Sequence, residues 1–338
     1  MHLWSIYLNF QIANDMCDSQ EILVSVCCAA YNHSAYIRQC LDGFIMQKTN
    51  FRFEVLIHDD ASTDGTQDII REYEMKYPDI IKPIYQEENQ YCKGGKISLR
   101  FNIPRAKGKY IAFCEGDDYW IDSLKLQKQV DFMEANSGYS MCFHNSYILQ
   151  NNKIIGKHRI YRESQEAIIG HVFRDGGFIP TQSILCIRSI YNDIDSFPSN
   201  CPVGDLKIQV YCALHGRIYY MNETMAVYRR WGGSATHVIR RNIDKYVLHH
   251  KKFIEWYKSV DEYTGYKYHT EIEKSIIFSN ARIAIATKDF KEMRNSVYRD
   301  YLAYLSPLSR IGMYVRIYGF NWIYILGHKS LSLIRRII

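Results

Sequence analysis

The sequence predicts an α/β protein in which helices flank a mostly parallel central sheet and a helical appendage follows. Short apolar runs rich in β-branched residues alternate with amphipathic helical segments over roughly the first 145 residues. From about residue 240 onward the pattern is helical throughout. A chain of 338 residues is long for one hydrophobic core, so we expect one large domain and an appendage.

The first half of the chain shows the alternation most clearly. Residues 22–29 (ILVSVCCA) form a continuous apolar run, which is typical of a central parallel strand. A helix is expected soon afterwards, with Ser34 as its N-cap. The elements that follow are a strand at 53–58, a helix at 67–77, strands at 81–85 and 110–114, a helix at 124–136 and a strand at 139–144. Such alternation implies right-handed β-α-β units.

The second half is less regular. The expected order is a loop at 176–182, a strand at 183–187, a turn-rich segment at 197–204, a helix at 206–215, strands at 218–221 and 225–228, and a basic loop at 229–234.

Clustered acids follow two of the predicted strands. Glu115, Asp117 and Asp118 come after one strand, and Asp59 and Asp60 come at the end of another. Because parallel strands end on the same edge of a sheet, where ligands bind, we expect these five acids to converge. Clustered carboxylates repel unless a cation lies between them, and such oxygens suit Mg²⁺ or Mn²⁺ bridging to phosphates. The convergence favours a metal and phosphate site over the alternative of acidic turns that cap helices.

Composition and the start of the chain indicate the compartment. The net charge is +6 at pH 7, and none of the 10 cysteines forms a C-x-x-C pair. We interpret the cysteines as small core residues in a reducing compartment rather than as a disulfide framework or a zinc site. Residues 1–20 lack the basic start and the apolar core of a signal peptide. We therefore expect an N-terminal extension on a cytoplasmic protein, without a nucleic-acid partner.

The end of the chain is basic and apolar, since no acid follows Asp300. Residues 306–338 mix aromatic and aliphatic side chains with scattered Arg and Lys. The run 311–327 is too short and too interrupted for a membrane-spanning helix. We expect an amphipathic helix that lies on the cytoplasmic face of the inner membrane. The alternative is a helix packed on the protein's own core.

Three ordered motifs carry a resemblance to a known family. The first strand ends in AAYN at 29–32, a polar turn reads DDASTDGT at 59–66, and EGDD stands at 115–118. Together they resemble the inverting family-two glycosyltransferases with the GT-A fold, of the type found in bacterial surface-polysaccharide synthesis. The similarity covers roughly residues 20–235. The first motif of this chain lacks the proline that is usual in the family, and Glu115 stands where the family usually has Asp.

The resemblance implies a nucleoside-diphosphate-sugar donor and a divalent metal, Mn²⁺ or Mg²⁺. Asp117 would ligate the metal, Glu115 would ligate the metal or lie near the ribose, and Asp60 would contact the base. His237 would be a third ligand, although a lone histidine is more often not a ligand. The implied donor-binding residues are Ala30, Tyr31, Asn32, Asp60, Glu115, Gly116, Asp118 and Arg230.

Transfer with inversion also needs a group that takes the proton of the acceptor hydroxyl. The family places a carboxylate at the start of a helix after an acceptor loop, and Asp205 stands there. The alternative for Asp205 is a helix N-cap. Arg230, in the basic loop, would contact the diphosphate, and the alternative is a surface turn.

These observations predict a GT-A domain at 21–237, with a nucleotide-binding half at 21–145 and an acceptor half at 146–237. A helical region at 238–338 would follow. The predicted activity is metal-dependent transfer of a sugar to a saccharide or lipid-linked saccharide acceptor. The alternatives are a sugar nucleotidyltransferase and a catalytically silent nucleotide-sugar-binding or scaffold protein.

Overall fold

The computed structural model describes residues 21–158, 160–173 and 178–318. The predicted N-terminal extension, the glycine pair at 176–177 and the last 20 residues of the tail lie outside the described residues. The chain divides into two compact units. The first contains residues up to 197 and 203–231, and the second contains 198–202 and the residues from 232 onward.

A ten-stranded mixed sheet organises the described part of the first unit. Its strands are β1 (Ile22–Ala30), β2 (Arg52–Asp59), β3 (Ile81–Tyr85), β4 (Tyr110–Phe113), β5 (Tyr119–Trp120), β6 (Tyr139–Gln150), β7 (Lys153–Lys157), β8 (Gln165–Glu166), β9 (Leu185–Ile187) and β10 (Arg217–Arg230). They lie in the order β3-β2-β1-β4-β9-β6-β10-β5, with β7 beside β6 and β8 beside β10. Strands β1 to β4 pair in parallel, whereas β9 runs antiparallel to β4 and β6. The parallel half therefore carries the loops after β1, β2 and β4 on one edge.

Helices cover this sheet and form most of the second unit. The first unit contains α1 (Ile37–Ile45), α2 (Thr66–Lys76), α3 (Lys125–Ala135), α4 (Ile169–Phe173) and α5 (Gly204–His215). The second contains α6 (Ala235–Arg241), α7 (Ile243–Tyr263), α8 (His269–Ala286), α9 (Arg299–Tyr304) and α10 (Pro307–Tyr318). The predicted α/β class and the helical C-terminal region are thus confirmed.

The core of the first unit packs the sheet against its first three helices. Val26 and Val55, on adjacent strands, are fully buried, as the continuous apolar runs predict. On the helical side, Phe44 packs edge-on against Trp120 with ring centroids 4.8 Å apart. This packing ties α1 to the short strand β5, directly beyond the acidic turn.

Three local predictions were wrong. Helix α1 begins at Ile37 with Tyr36 as its N-cap, whereas Ser34 lies in the preceding turn and donates its N–H to the Asp64 carboxylate at 2.9 Å. The two strands predicted at 218–221 and 225–228 are one strand, β10, which extends to Arg230 into the loop predicted at 229–234. Its pairing with β6 shifts register between Met221 and Ala226, so the polar residues between them are accommodated as a bulge.

The second unit has its own apolar core. Phe278 and Ala281 of α8 pack with Tyr301 and Leu302 of α9. Met313 and Ile317 of α10 are buried in the same cluster. The described start of the tail therefore packs on its own unit, which was the alternative to a membrane-surface helix. Within the described residues, none of the helices combines the length and apolarity needed to cross a bilayer.

Candidate active site

The loops after β1, β2 and β4 are joined directly by backbone hydrogen bonds. The Gly116 N–H donates to the Ala29 carbonyl at 2.9 Å, and the Asp60 N–H donates to the Ala30 carbonyl at 2.9 Å. Three loops that are distant in sequence therefore form one continuous surface at the carboxyl edge of the sheet. This is the arrangement that the order of strands and acids predicts.

Side chains fasten the first of these loops to the second. Asn32 has a positive φ of 54°, its N–H donates to Ser62 Oγ at 2.9 Å, and its Oδ1 accepts the Thr63 N–H at 2.9 Å. The His33 N–H donates to Thr66 Oγ1 at 2.8 Å. Asn32 thus shapes the loop, while the neighbouring Tyr31 side chain is left 46% exposed. Of the residues predicted beside the nucleoside, Tyr31 is the one that presents a free surface.

Asp60 has a second task that the sequence did not indicate. Its carboxylate is buried and accepts the backbone N–H groups of Gln90 and Tyr91 at 2.7 and 3.0 Å. His58 Nε2 lies 3.2 Å from the same carboxylate, and burial lowers the pKa of this histidine. Asp60 therefore anchors the loop after β3. Its contact with a nucleoside base stays a prediction.

That loop is part of the site, although the sequence shows it only as a polar stretch. Tyr91 is 55% exposed. Burial against the loop, followed by the charges of Glu115 and Asp205, raises the pKa of its phenol. Lys96 lies against Gly204 at the start of α5, where a Cβ on the glycine would be 3.6 Å from Lys96 Cα. The loop therefore lies beside both acidic segments of the site.

Gly116 allows the loops after β1 and β4 to touch. A Cβ at this position would lie 2.9 Å from His33 Nδ1, 2.9 Å from Ile37 Cδ1 and 3.2 Å from Ala30 Cβ. Ala30 is itself buried. Gly116 and Ala30 thus support the surface of the three joined loops through close packing and backbone hydrogen bonds, rather than with exposed side chains.

The three acids after β4 have different environments. Asp118 is buried, and its Oδ1 accepts the Arg229 N–H at 2.7 Å. Burial, followed by the charge of Asp117, raises the pKa of Asp118 well above its usual range. Asp117 is partly open, with its Oδ2 bound to the Trp231 indole N–H at 2.7 Å and 4.0 Å from His33 Nε2. Asp118 therefore supports the turn, and Asp117 faces outward.

Glu115 is the least restrained of the three. Its residue surface is exposed, and within the described part of the chain its carboxylate accepts no hydrogen bond. Partial removal from bulk water, followed by the charges of Asp117 and Asp205, raises the pKa of Glu115 to about 8. Because the charge of Asp205 acts on Glu115, the start of α5 lies near the turn after β4.

Asp205 lies in the first turn of α5 but is not its N-cap, which is Val203. Its Oδ1 accepts the Leu206 N–H at 2.8 Å, and its Oδ2 accepts the Thr181 hydroxyl at 2.6 Å. Burial raises the pKa of Asp205, while these two hydrogen bonds act in the opposite direction. The side chain is therefore a held carboxylate near Glu115.

The end of β10 brings residues to the acids that the sequence did not single out. Arg229 is buried, its Nε donates to the Asp117 carbonyl at 2.9 Å, and its guanidinium lies 4.6 Å from the centre of the Tyr36 ring. Arg230, the residue predicted to contact a diphosphate, is exposed at the last position of the strand. Trp231 follows at once and packs its ring 5.2 Å from that of Tyr36. The alternation of side chains along a strand places Arg229 inward and Arg230 outward.

The acids of the described residues do not form a complete metal site by themselves. In the described ranges, no group of three or more His, Cys, Asp or Glu side chains is placed to hold a metal ion by itself. Mg²⁺ commonly uses one or two carboxylates and completes its shell with substrate phosphates and water. Asp117 and Glu115, which are hard oxygen donors in like-charge repulsion, fit that smaller role. His237 belongs to the second unit, is exposed near the start of α6, and its role as a ligand stays a prediction.

Comparisons with known proteins find a matching family and related proteins. The family described as "Glycosyl transferase family 2" matches residues 25–194. An uncharacterized protein of Mycobacterium tuberculosis is 37% identical over 208 residues, which cover 61% of this chain and 58% of that protein. The UDP-Glc:alpha-D-GlcNAc-diphosphoundecaprenol beta-1,3-glucosyltransferase WfaP of Escherichia coli is 37% identical over 134 residues, 40% of this chain and 50% of the enzyme. The chain thus matches only about half of the length of these relatives.

One solved structure extends the comparison to nearly the whole chain. The mannosyltransferase PcManGT from Pyrobaculum calidifontis, in complex with GDP-Man and Mn²⁺, has a TM-score of 0.53 and 15% identity. The alignment covers 97% of this chain and 96% of that one. At this identity the likeness concerns the fold alone, and it confirms the predicted GT-A fold.

Proposed function

The chain belongs to glycosyl transferase family 2, and from that premise we propose that it transfers a sugar from a nucleoside-diphosphate-sugar donor to a saccharide or lipid-linked saccharide acceptor. The proposal is supported above all by the closeness of Asp117 and Asp205 to Glu115, since the charges of both act on its carboxyl. The turn that carries Glu115 and Asp117 lies at the carboxyl edge of the sheet, where backbone hydrogen bonds join it to the loops after β1 and β2.

In this proposal the turn after β4 binds the diphosphate of the donor. Asp117 and Glu115 would hold Mn²⁺ or Mg²⁺, which supplies positive charge that stabilises the leaving diphosphate. The exposed Arg230 is available as a second, charge-assisted donor to phosphate oxygens. Tyr31 offers an exposed ring beside the loops where the nucleoside is expected.

The acceptor end falls to Asp205. In an inverting displacement, an acceptor hydroxyl oxygen attacks the anomeric carbon as the bond to the diphosphate oxygen breaks. The hydroxyl proton passes to the Asp205 carboxylate, and the nucleoside diphosphate leaves with the bonding electron pair. The two hydrogen bonds to Asp205 support this role, because they hold the carboxylate and favour its charged form.

A lipid-linked acceptor is proposed from the relative in Escherichia coli, whose name includes a diphosphoundecaprenol-linked sugar. Synthesis of a surface polysaccharide at the cytoplasmic face of the inner membrane would fit such an acceptor. A peripheral contact of the C-terminal region with that membrane remains part of this proposal. Its predicted surface helix falls largely on residues outside the described ranges.

The test is release of free nucleoside diphosphate from a panel of nucleoside-diphosphate sugars, with Mn²⁺ or Mg²⁺ and with lipid-linked acceptors. We expect one donor to be consumed only with metal, and Asp205→Asn to lower kcat by about 10²- to 10⁴-fold. Asp117→Ala should abolish the metal response. Asp68→Asn, which alters a largely exposed carboxylate on α2, is the matched control and should keep full activity.

Three outcomes would contradict the proposal. Donors that bind without being consumed would indicate a silent binding or scaffold protein. Formation of pyrophosphate from a nucleoside triphosphate and a sugar phosphate would indicate a nucleotidyltransferase. Unchanged turnover in Asp205→Asn would remove this residue as the base.

A further inference from the structure

Thr181 makes the side-chain hydrogen bond that orients the carboxylate of Asp205. Its hydroxyl donates to Asp205 Oδ2 at 2.6 Å, from a 3₁₀ turn at Thr181–Ser183 that lies 24 positions earlier in the chain. The Leu206 N–H occupies the other oxygen, Oδ1, at 2.8 Å. With one donor on each oxygen, the plane of the carboxylate is fixed, and each oxygen keeps a lone pair for a substrate.

The turn that carries Thr181 is itself held from beneath. The Trp120 indole N–H donates to the Gln182 carbonyl at 2.8 Å, and Gln129 Nε2 donates to the Ser183 carbonyl at 2.9 Å. The Gln182 side chain donates to Ser146 Oγ at 3.0 Å. Gln182 and Ser183 are 1% and 0% exposed. Every residue that fixes the turn is thus buried, so the position of the Thr181 hydroxyl is determined by the core.

The same support also reaches the acidic turn after β4. Trp120 stands two positions after Asp118, on the short strand that follows the acidic turn. Its ring is buried against Phe44, and its indole N–H donates to the Gln182 carbonyl in the turn that carries Thr181. One side chain therefore sets the separation between the acids after β4 and the hydroxyl that holds Asp205.

We propose that Thr181 is a positioning residue for the reaction, which orients Asp205 toward the acceptor hydroxyl; this inference rests on the proposed function. Threonine suits the task because its branched Cβ restricts χ1, so the hydroxyl is held in direction as well as in place. A hydroxyl is also neutral, so it orients the carboxylate without neutralising it as a lysine would. Misplacement of a catalytic group by a fraction of an ångström to about 1 Å is enough to lower turnover strongly.

The experiment compares Thr181→Val, Thr181→Ser and Thr49→Val with the wild-type protein under the donor and metal conditions described above. Valine keeps the branched shape and removes the hydroxyl, whereas serine keeps the hydroxyl. Thr49→Val is the matched control, because the same change removes a hydroxyl that donates to the Phe51 carbonyl at 2.7 Å, ahead of β2 and away from the carboxyl edge of the sheet. We expect Thr181→Val to lower kcat by about 10- to 100-fold, the range for one hydrogen bond to a charged group.

The remaining readouts separate orientation from folding. KM for the donor should change less than twofold in Thr181→Val, since the Thr181 hydroxyl contacts the proposed general base, Asp205, rather than the nucleotide. Thr181→Ser should recover most of kcat, and Thr49→Val should keep kcat near that of the wild type even if its melting temperature falls. Equal kcat in Thr181→Val and the wild type, or equal losses in Thr181→Val and Thr49→Val, would overturn the role of Thr181 and leave the proposed function intact. A wild-type protein that consumes no donor would overturn both.

Discussion

A lysine is buried in the core of the first unit, and its titration should be measurable in the stability of the protein. Lys125, at the start of α3, is fully buried and donates from Nζ to Gln129 Oε1 at 2.7 Å. The same nitrogen lies 4.0 Å from the centre of the Trp120 ring. Burial lowers the pKa of Lys125 from 10.5 to about 7, and the nearby thiols of Cys114 and Cys142 act in the opposite direction.

The sign of the effect follows from proton binding in the two states. Between pH 7 and 10.5 the unfolded chain keeps this proton while the folded protein has lost it. The free energy of unfolding therefore rises with pH across this window. A difference of about 3.5 between the two pKa values corresponds to about 5 kcal/mol over the whole window. The face of the Trp120 ring favours the charged amine, so about 5 kcal/mol is a ceiling.

Lys125→Met removes the charge and nearly preserves the length of the side chain. We expect the urea midpoint of the wild-type protein to rise between pH 6.5 and 9.5 more steeply than that of the variant. At pH 6.5 the variant no longer buries a charge, which increases its free energy of unfolding. The same free energy decreases by about 1–3 kcal/mol, because Gln129 Oε1 is left without its donor. Urea titrations at four pH values, followed by tryptophan fluorescence, measure both slopes.

The control is another lysine of the same helix. Lys128 binds Asp122 at 2.8 Å and also contacts Glu223, and these hydrogen bonds raise its pKa. It is protonated in both states below pH 9.5, so Lys128→Met should keep the wild-type slope. Equal pH slopes in the wild type and Lys125→Met would refute the reasoning, because the buried amine would then titrate as it does in the unfolded chain.

Two further changes test the surface above this core. Trp231→Phe removes the indole N–H from Asp117 Oδ2, so we expect the Mn²⁺ concentration for half-maximal activity to rise about 10-fold, and an unchanged value would contradict a supporting role. Gly116→Ala places a Cβ 2.9 Å from His33 Nδ1, so we expect a loss of about 1–2 kcal/mol in the free energy of unfolding and weaker donor binding. Wild-type values in both denaturation and donor titration would show that the two loops can separate freely.

Much of the fold could be predicted because its central strands are buried on both faces. The run at 22–29, in which Ser25 is the one polar residue, predicted β1 to within one residue, because a strand buried on both faces is apolar along its whole length. The two-residue strands β5 and β8 were not predicted, because so short a segment has no period. The bulge in β10 was missed for a related reason, since the three polar residues at 222–224 inside an apolar pattern resemble a turn.

The site was predictable only where one sequence segment contains both the residue and its context. The acids after β4 follow an apolar strand directly, so their location could be inferred. Thr181 and Trp231 come to the acids through tertiary pairing, and neither has a local pattern that distinguishes it from a core residue. Tyr91 lies beside these acids because the Asp60 carboxylate accepts its backbone N–H, a hydrogen bond between residues 31 positions apart in the sequence. Sequence spacing contains no information on such contacts.

The structure also separates acids that look alike in the motifs. A carboxylate that accepts backbone N–H groups is already committed to shaping a turn, and a carboxylate that does not is available to a ligand. In the described part of the chain, the Glu115 carboxylate accepts no hydrogen bond, and the Asp117 carboxylate accepts one from an indole. The acids committed to backbone N–H groups are Asp59, Asp60, Asp64 and Asp118.

Asp205 belongs to neither group, because it accepts one backbone N–H and one hydroxyl. It is held firmly enough to have a direction but keeps lone pairs for a proton. That combination suits the general base that we propose, whereas the two freer carboxylates suit the proposed metal ligands. The proposed division of roles therefore rests on which hydrogen bonds each carboxylate accepts, and the acidic motifs alone do not reveal them.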